Sequence, residues 1–189
     1  MTHDDDPCVA GLCGDAEAFA VVYERHGPAI LRYLTRRLGP DVGQDAAHDV
    51  FVRAFGLRAG YDRARGTVAG WLFGIALNVA SEHRRADGRR LRALERLAGE
   101  TPRSSPGVAP RAELTPALAG ALRRLPAKER EALLLVVWGE LSYAEAAVAL
   151  DIPLGTVRSR VSRARTTLHD AVADHRRAAP AITNGDAHV

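Results

Sequence analysis

The segment LSYAEAAVALDIPLGTVRSRVSRARTTL, residues 141–168, constrains the fold of this chain more than any other stretch. Ser142 and Glu145 have the S-x-x-E spacing of a capping box, which predicts that a short helix begins there. After the link LDIP, in which Pro153 suits the first turn of a new helix, apolar side chains recur at i, i+4, i+7 and i+11. The residues of this stripe are Val157, Val161, Ala164 and Leu168. Two helices joined by so short a link predict a helix-turn-helix.

The second helix of this unit carries arginine and hydroxyl side chains opposite and beside its apolar stripe. These polar residues are Thr156, Arg158, Ser159, Arg160, Ser162 and Arg163. After Asp151 no acidic residue occurs before Asp170, whereas the solvated face of a helix usually alternates the two signs of charge. Arginines and short hydroxyls are also the groups that contact base edges and phosphates in the major groove. The pattern favours DNA binding over its alternative, the solvated basic face of an ordinary helical hairpin.

Composition favours an all-α fold for this chain of 189 residues, of which 47% are hydrophobic. Alanine, leucine, valine and arginine dominate, and the alternation typical of strands is scarce. The formal net charge of +3 hides local clusters, because the first residues are acidic while RRADGRRLR at residues 84–92 is strongly basic. Such basic clusters indicate a nucleic-acid partner more than a membrane.

Several other classes of protein are disfavoured. No apolar run approaches the roughly 20 residues that span a bilayer, and the N-terminus lacks the pattern of a signal peptide, so we expect a cytoplasmic protein without membrane contact of its own. Cys8 and Cys13 lack further cysteines or a convergent pair of histidines, so we predict no metal site and no cofactor. His26, His48 and His83 belong to separate helical segments without a catalytic motif, which argues against an enzyme.

A stretch rich in proline, glycine and serine, GETPRSSPGVAPRAE at residues 99–113, divides the chain. Its composition predicts a flexible linker between an N-terminal domain at residues 14–98 and a C-terminal domain at residues 114–173. The remaining residues, 174–189, are predicted to form a disordered tail. We therefore expect two small helical domains that fold independently.

The N-terminal domain is predicted to contain four helices. Periodicity places them at residues 16–26, 28–38, 42–57 and 68–97, with Thr67 as the N-cap of the fourth. In the first two helices the candidate core residues are Phe19, Val22, Ile30, Leu31 and Leu34. In the third and fourth they are Ala46, Val50, Phe51, Val68, Trp71, Leu72, Ile75, Ala76 and Val79.

Two polar surfaces remain once this core is assigned. The third helix presents a polar, partly acidic face formed by Asp45, His48, Asp49 and Arg53. On the fourth helix one stripe contains Gly74, Asn78, Ser81 and Arg85, with Arg84 beside it. Small and hydrogen-bonding residues next to arginines would let a nucleic-acid strand approach closely, although a small-residue contact between helices is a credible alternative for Gly74 and Ser81. Phe73 and Leu77 lie off the core stripe, so each either meets another helix or is exposed.

The order and spacing of these motifs resemble the extracytoplasmic-function (ECF) group of bacterial RNA polymerase sigma factors. DAEAFAVVYERHGPAILRYLTRRLG looks like the opening helices of that family, and DAAHDVFVRAF looks like its polymerase-binding helix. YDRARGTVAGWLFGIALNVASEHRR is similar to its promoter-melting segment. LRRLPAKEREALLLVVWGELSYAEAAVALDIPLGTVRSRVSRARTTL is similar to its C-terminal domain. The resemblance covers nearly the whole chain except the termini and the linker.

The resemblance implies a four-helix domain, region 2, and a helix-turn-helix domain, region 4. Region 2 would bind the β′ subunit of core RNA polymerase through Asp45, His48, Asp49 and Arg53. It would also recognise and melt the promoter near −10, through Asn78, Ser81, Arg84 and Arg85. Region 4 would contact the polymerase β subunit and read the −35 element through Thr156, Arg158, Ser159, Arg160, Ser162 and Arg163.

The function that the resemblance implies is promoter-specific initiation of transcription, with no chemistry performed by the sigma factor itself. The partners that it implies are core RNA polymerase, promoter DNA and an anti-sigma factor. From the residues alone, a stand-alone helix-turn-helix regulator remains the alternative, although such a regulator needs neither the linker nor the surface around Asn78. The sequence departs from the family pattern at Asp151, where glycine is frequent in the helix-turn-helix link, and at His48, where glutamine is usual.

Overall fold

The computed structural model describes Leu12, residues 16–98 and residues 115–178. The predicted linker at residues 99–113 lies outside these residues, as do Cys8 and Cys13. Every regular element in the described parts is helical, without a strand. The predicted all-α fold is therefore confirmed.

The described N-terminal domain contains long α-helices linked by short turns. The helices are α1 (Ala16–Leu38), α2 (Pro40–Leu57) and α3 (Val68–Ala98), and two 3-10 turns span Arg58–Gly60 and Arg63–Arg65. Because α1 continues through Pro28, the predicted division into two helices there is wrong. Pro28 removes a backbone hydrogen bond, which costs about 3 kcal/mol, but Val22 and Ile30 on either side of it are both 0% exposed. Burial of apolar side chains on both halves of α1, at about 1.5–3 kcal/mol each, outweighs that cost.

One face of α1 packs on α2 and α3. Phe19, Val22, Ile30 and Leu34 are buried as predicted. Leu31 is 40% exposed, so its predicted place in the core is wrong. Each helical step turns about 100°, and the buried stripe continues from Ile30 to Tyr33 and Leu34, which leaves residue 31 to one side.

The turn between α1 and α2 lets these two helices pack closely. Gly39 has a φ of 92°, and Pro40 fills the first position of α2, which its fixed φ favours. Gly43 faces α1, and a Cβ added to it would lie 2.4 Å from Thr35 Cα. This approach of the two backbones therefore requires glycine. The predicted core residues of α2 are also buried, namely Ala46, Val50 and Phe51.

α3 begins where the sequence predicts, because Thr67 Oγ1 accepts a hydrogen bond from the Gly70 amide at 3.2 Å. Its predicted core residues Val68, Leu72, Ile75, Ala76 and Val79 are all buried. Trp71 differs from this prediction, since it is half-buried and packs edge to face on Tyr61, with 5.5 Å between the ring centroids. Its ring therefore borders the surface of the domain.

The described C-terminal domain is also helical. Its helices are α4 (Pro116–Arg124), α5 (Ala127–Val137), α6 (Tyr143–Leu150) and α7 (Leu154–Ala178). Ser142 and Glu145 form the predicted capping box at the start of α6. Asp151 follows α6 in the left-handed conformation, at φ 51° and ψ 49°, which aspartate tolerates better than most residues. The Pro153 carbonyl then accepts the first hydrogen bond of α7, from the Thr156 amide at 2.9 Å.

α7 packs its predicted apolar stripe against α4, α5 and α6. Val157, Val161 and Ala164 are buried, and Leu168 is half-buried. The helix continues to Ala178, past the predicted end of the domain at residue 173, and residues 179–189 lie outside the described part of the chain. The other domain boundaries stay predictions.

The two domains pack against each other, mainly through α3 and α6. A single cluster of buried apolar side chains runs through both domains. Phe73 of α3 is 1% exposed and lies at this contact, because a Cβ added to Gly139 would lie 2.8 Å from its ring. The sequence left open whether Phe73 is exposed or meets another helix, and the structure shows that it meets the other domain.

Candidate nucleic-acid interface

The polar face of α7 is open to solvent at most of the positions predicted to contact DNA. Arg158, Ser159, Ser162 and Arg163 are exposed, while Thr156 and Arg160 are half-buried. All six residues lie in the N-terminal half of α7, beside the turn that follows α6. The structure thus brings them together on one accessible surface, which we call the recognition face.

Local hydrogen bonds orient part of the recognition face. Ser159 Oγ donates to the Thr156 carbonyl at 3.0 Å. Arg163 Nε donates to Glu129 Oε1 at 2.8 Å, which joins α7 to α5. The Glu129 side chain is 16% exposed and that of Arg163 is 61% exposed. The mostly buried carboxylate of Glu129 therefore orients the solvent-exposed guanidinium of Arg163. Glu129 is not among the predicted site residues, since no local pattern connects it with a residue 34 positions later.

A second polar surface lies on α3, at the edge of a cleft of about 600 Å³ between the two domains. One wall of this cleft contains Trp71, Asn78, Ser81 and Arg84, and residues 148–151 form part of the opposite wall. Asn78 and Arg85 are exposed, while Ser81 and Arg84 are half-buried. Asn78, Ser81 and Arg84 therefore share the wall of the cleft, whereas Arg85 lines a separate depression on α3 with Glu82 and Arg89. We call these four predicted residues the α3 face.

Gly74 lies in the same stripe as the α3 face but contacts protein. A Cβ added to it would lie 3.5 Å from the Ala149 carbonyl oxygen, so the alternative explanation, a contact between helices, is correct for Gly74. Gly66 and Gly70 continue the row towards the start of α3. A Cβ added to Gly66 would lie 2.4 Å from a side-chain carbon of Val148, and a Cβ added to Gly70 would lie 2.9 Å from another carbon of the same side chain. These three glycines form a groove that receives α6, and we call it the glycine groove.

Arg84 lies next to a buried ion pair at the domain contact. It lines a small cavity of about 30 Å³ together with Arg37, Arg130 and Glu131. Burial lowers the pKa of Arg84, and the positive charge of Arg37 lowers it further. Burial also acts to lower the pKa of Arg37. Arg37 donates hydrogen bonds to Tyr33 and Glu131, however, and its interactions with these two residues outweigh burial, so the net effect is a raised pKa of Arg37. Arg84 thus belongs to a cationic cluster in which Glu131 supplies a carboxylate.

The polar face of α2, which we call the α2 face, combines exposed side chains with side chains that pair with α3. Asp45 and His48 are exposed. Asp49 Oδ2 lies 3.3 Å from His83 Nε2. Arg53 donates to both carboxylate oxygens of Glu82, at 3.0 and 2.6 Å, and this hydrogen bonding lowers the pKa of Glu82. Two members of the α2 face are thus held in place by α3.

The described residues form neither a cluster of metal ligands nor a helix that could span a membrane. No group of three or more histidine, cysteine, aspartate or glutamate side chains among them could hold a metal ion. No helix among them is long and apolar enough to cross a bilayer. The surfaces described above instead present arginines, hydroxyls, an amide and an aromatic ring, which are the groups that bind nucleic acids.

Comparison with known proteins identifies both domains. The model of sigma-70 region 2 matches residues 22–90, and that of sigma-70 region 4 matches residues 116–168. The ECF RNA polymerase sigma factor SigC of Mycobacterium tuberculosis is 33% identical over 181 residues, which cover 88% of this chain and 92% of that protein. The ECF RNA polymerase sigma-E factor of Escherichia coli is 31% identical over 172 residues, which cover 84% of this chain and 88% of that protein. The chain therefore belongs to the sigma-70 family of RNA polymerase sigma factors, in its ECF group.

Solved structures agree with this assignment. CnrH, solved in complex with the cytosolic domain of CnrY, matches with a TM-score of 0.63 at 26% identity, over 90% of this chain and 99% of that chain. The sigma factor RpoE of Bartonella quintana, solved with the anti-sigma factor NepR, matches with a TM-score of 0.61 at 25% identity. The match covers 84% of this chain and 98% of that chain. Sigma factors direct RNA polymerase to promoters and are initiation factors rather than catalysts. Promoter-specific initiation of transcription is therefore the function of this chain, as the sequence predicts.

Proposed function

We propose that this sigma factor directs core RNA polymerase to promoters through three surfaces with separate tasks. The recognition face reads the −35 element, the α3 face reads and holds the −10 element, and the α2 face binds the β′ subunit. The observation that carries the proposal is the recognition face itself. Four exposed arginine and serine side chains project from a helix whose opposite stripe is buried in a helix-turn-helix.

The recognition face suits the major groove, which is about 12 Å wide and admits one α-helix. Arg158 and Arg163 can each donate two hydrogen bonds to a guanine, and the Ser159 and Ser162 hydroxyls can pair with several bases. The hydrogen bond from Arg163 to Glu129 supports a role in base reading, because it restricts the direction of the guanidinium. The remaining affinity comes from phosphate neutralisation and falls as salt rises.

The α3 face suits a single strand of opened promoter DNA. Asn78 is exposed and carries an amide that can both donate to and accept from a base edge. The half-buried ring of Trp71 offers a stacking surface nearby. Arg84 and Arg85 can hold phosphates on the same strand. Strand opening is favoured because separated bases gain these contacts while the duplex does not.

The α2 face suits a basic partner surface. Asp45 and His48 are exposed, and the pairs Asp49–His83 and Arg53–Glu82 fix the orientation of α2 on α3. Docking there brings the other two surfaces to the DNA that the polymerase holds, and the C-terminal domain adds a contact with the β subunit. Since the polymerase performs the chemistry, we assign no enzymatic activity to this chain. Because core RNA polymerase acts in the cytoplasm, we assign the chain to that compartment as well.

An anti-sigma factor is a further partner in this proposal. The similar proteins CnrH and RpoE were solved with CnrY and with the anti-sigma factor NepR, respectively. A protein that covers the α2 face would compete with core polymerase for this chain. Affinity purification of the chain from its source organism, followed by elution with core polymerase, tests this idea. Failure to recover a partner that core polymerase displaces would contradict it.

Transcription in vitro tests the main proposal. Core polymerase is incubated with fragmented genomic DNA of the source organism, with or without this protein, and the 5′ ends of the transcripts are sequenced. We expect discrete new start sites that share paired motifs near −35 and −10. If no new start sites appear and the protein does not bind core polymerase, the proposal is wrong, and DNA binding without polymerase would then indicate a stand-alone regulator.

A further inference from the structure

One arginine of the recognition face is tied to another helix, unlike its neighbours on α7. Arg163 Nε donates to Glu129 Oε1 at 2.8 Å. Within the described part of the chain, no ion pair is formed by Arg158, Arg160 or Arg165. Of these four arginines in the described structure, only Arg163 therefore has its guanidinium direction restricted by a carboxylate.

Glu129 itself has a fixed position. It lies in the first turn of α5, where its backbone amide donates to the Pro126 carbonyl at 3.0 Å. Its side chain is 16% exposed, and a carboxylate near the N-terminus of a helix is stabilised by the helix dipole. Because α5 packs on α7, the negative charge of Glu129 has a defined place beside the recognition face.

The ion pair leaves the outer part of the Arg163 guanidinium available. Arginine has five N–H donors in a planar fork, and only one of them is on Nε. The two terminal nitrogens of Arg163 make no hydrogen bond to the described residues. In the major groove a guanine presents O6 and N7, and one arginine can donate to both atoms. Arg163 can therefore contact a guanine through its terminal nitrogens while Nε stays on Glu129.

We propose that Glu129 is a positioning residue that makes Arg163 select guanine at one base pair of the −35 element. An unrestrained arginine loses rotamer freedom when it binds, whereas Glu129 removes part of that freedom in advance. The ion pair also prevents Arg163 from turning towards a nearby phosphate. Since a carboxylate repels phosphates, Glu129 improves discrimination between bases and lowers the affinity for DNA of any sequence. This inference rests on the proposed function of the recognition face.

A promoter library tests the inference in the complete transcription system. Each base pair of the −35 element of a mapped promoter is randomised in turn, and each promoter variant carries a transcribed barcode. Core polymerase with the full-length chain transcribes the library, and sequencing of the barcodes gives the relative use of each base at each position. Arg163→Ala identifies the base pair that Arg163 reads. Anisotropy with a random duplex gives the non-specific affinity.

We expect Glu129→Ala to lower the guanine preference at the base pair identified by Arg163→Ala at least about fivefold, which is the discrimination of one bidentate contact. Preferences at the other positions should not change, and the random duplex should bind at least as tightly as to the wild type. Glu129→Gln should retain more of the preference than Glu129→Ala, because its side-chain carbonyl still accepts from Nε. Asp170→Ala is the control for the lost charge, since Asp170 is exposed on α7 outside the recognition face. It should match the wild type in its base preferences.

Four results would overturn the inference. Arg163→Ala changes the preference at no single base pair, or Glu129→Ala keeps the wild-type guanine preference at the pair that Arg163 reads. Alternatively, Glu129→Ala reduces the use of all promoter variants alike, as loss of a purely structural ion pair would, or Glu129→Gln loses as much preference as Glu129→Ala. In each case initiation by the wild type at promoters with paired motifs still supports the proposed function. Absence of initiation by the wild type would contradict that function itself.

Discussion

Arg37 of α1 donates a hydrogen bond to the carboxylate of Glu131 on α5, although the two residues are 94 positions apart and belong to different domains. The Arg37 side chain is 2% exposed and that of Glu131 is 31% exposed. Arg37 also donates to the hydroxyl of Tyr33, whose ring packs edge to face on Phe73 with 5.3 Å between centroids. A cation of the N-terminal domain is therefore neutralised by the C-terminal domain.

The coupling between Arg37 and Glu131 can be measured by a double-mutant cycle with Arg37→Met and Glu131→Gln. We expect an interaction free energy of about 1–3 kcal/mol, because the pair is a largely buried, charge-assisted hydrogen bond. The readout is the free energy of unfolding from chemical denaturation of the full chain. Arg53 and Glu82 serve as the control pair, since both side chains are exposed and solvent screening should make their coupling much weaker than that of the buried pair. Equal coupling in the two cycles would contradict the buried contact.

Charge reversal on the α2 face should abolish polymerase binding. The double substitution Asp45→Arg and Asp49→Arg replaces two acids that face the proposed basic partner surface, so we expect at least a tenfold loss of affinity for core polymerase. The measurement is co-elution or anisotropy with purified core enzyme, with circular dichroism to verify the fold. Glu24→Arg, an exposed acid on α1, is the control and should bind normally. Normal binding by the double variant would show that the interface lies elsewhere.

Loss of single arginines from the recognition face should weaken promoter use. Arg158→Ala and Arg163→Ala should each reduce initiation at a cognate promoter by about 5–150-fold, if each removes a base contact worth about 1–3 kcal/mol. Arg165→Ala is the matched control, because Arg165 is exposed on the same helix outside the recognition face. Run-off transcription at fixed salt gives the comparison. A loss for Arg165→Ala as large as that for the other two would indicate phosphate attraction alone.

Two glycines of α2 should respond to alanine in opposite directions. Gly43→Ala should destabilise the chain by about 1–3 kcal/mol, because the new Cβ would overlap the backbone of α1 at Thr35. Gly56→Ala should stabilise it by about 0.5–1 kcal/mol, since that exposed helical position has open space. Thermal and urea denaturation measure both effects. A stabilising Gly43→Ala would mean that α1 and α2 are farther apart than described.

The left-handed residue in the helix-turn-helix link predicts a further pair of effects. Asp151→Gly should leave stability unchanged or raise it by up to about 1 kcal/mol, because glycine adopts a φ near 51° without a steric penalty. Asp151→Val should lower it by about 1–2 kcal/mol, since a β-branched side chain is strained there. Denaturation of the full chain tests both. Equal stability of the two variants would contradict the left-handed conformation.

The sequence by itself determined the local structure of the helix-turn-helix and the nature of its polar face. The capping box of Ser142 and Glu145, the N-cap at Thr67 and the buried stripe through Val157 and Val161 are all confirmed. Each of these features depends on residues a few positions apart, so hydrogen-bonding capacity and helical periodicity were sufficient to predict it. The family followed from the same local motifs in their order. The roles of individual residues in binding DNA and polymerase stay predictions.

Only the tertiary structure decided how the two domains meet. It placed Phe73 at the other domain, turned the glycines from Gly66 to Gly74 into a groove for α6, and paired Arg37 with Glu131. It also kept α1 continuous through Pro28, where the local signal predicts a break. The physical reason is the same in each case. Burial and charge compensation depend on partners far away in the sequence, and periodicity reports which face of a helix is buried but not which element covers it.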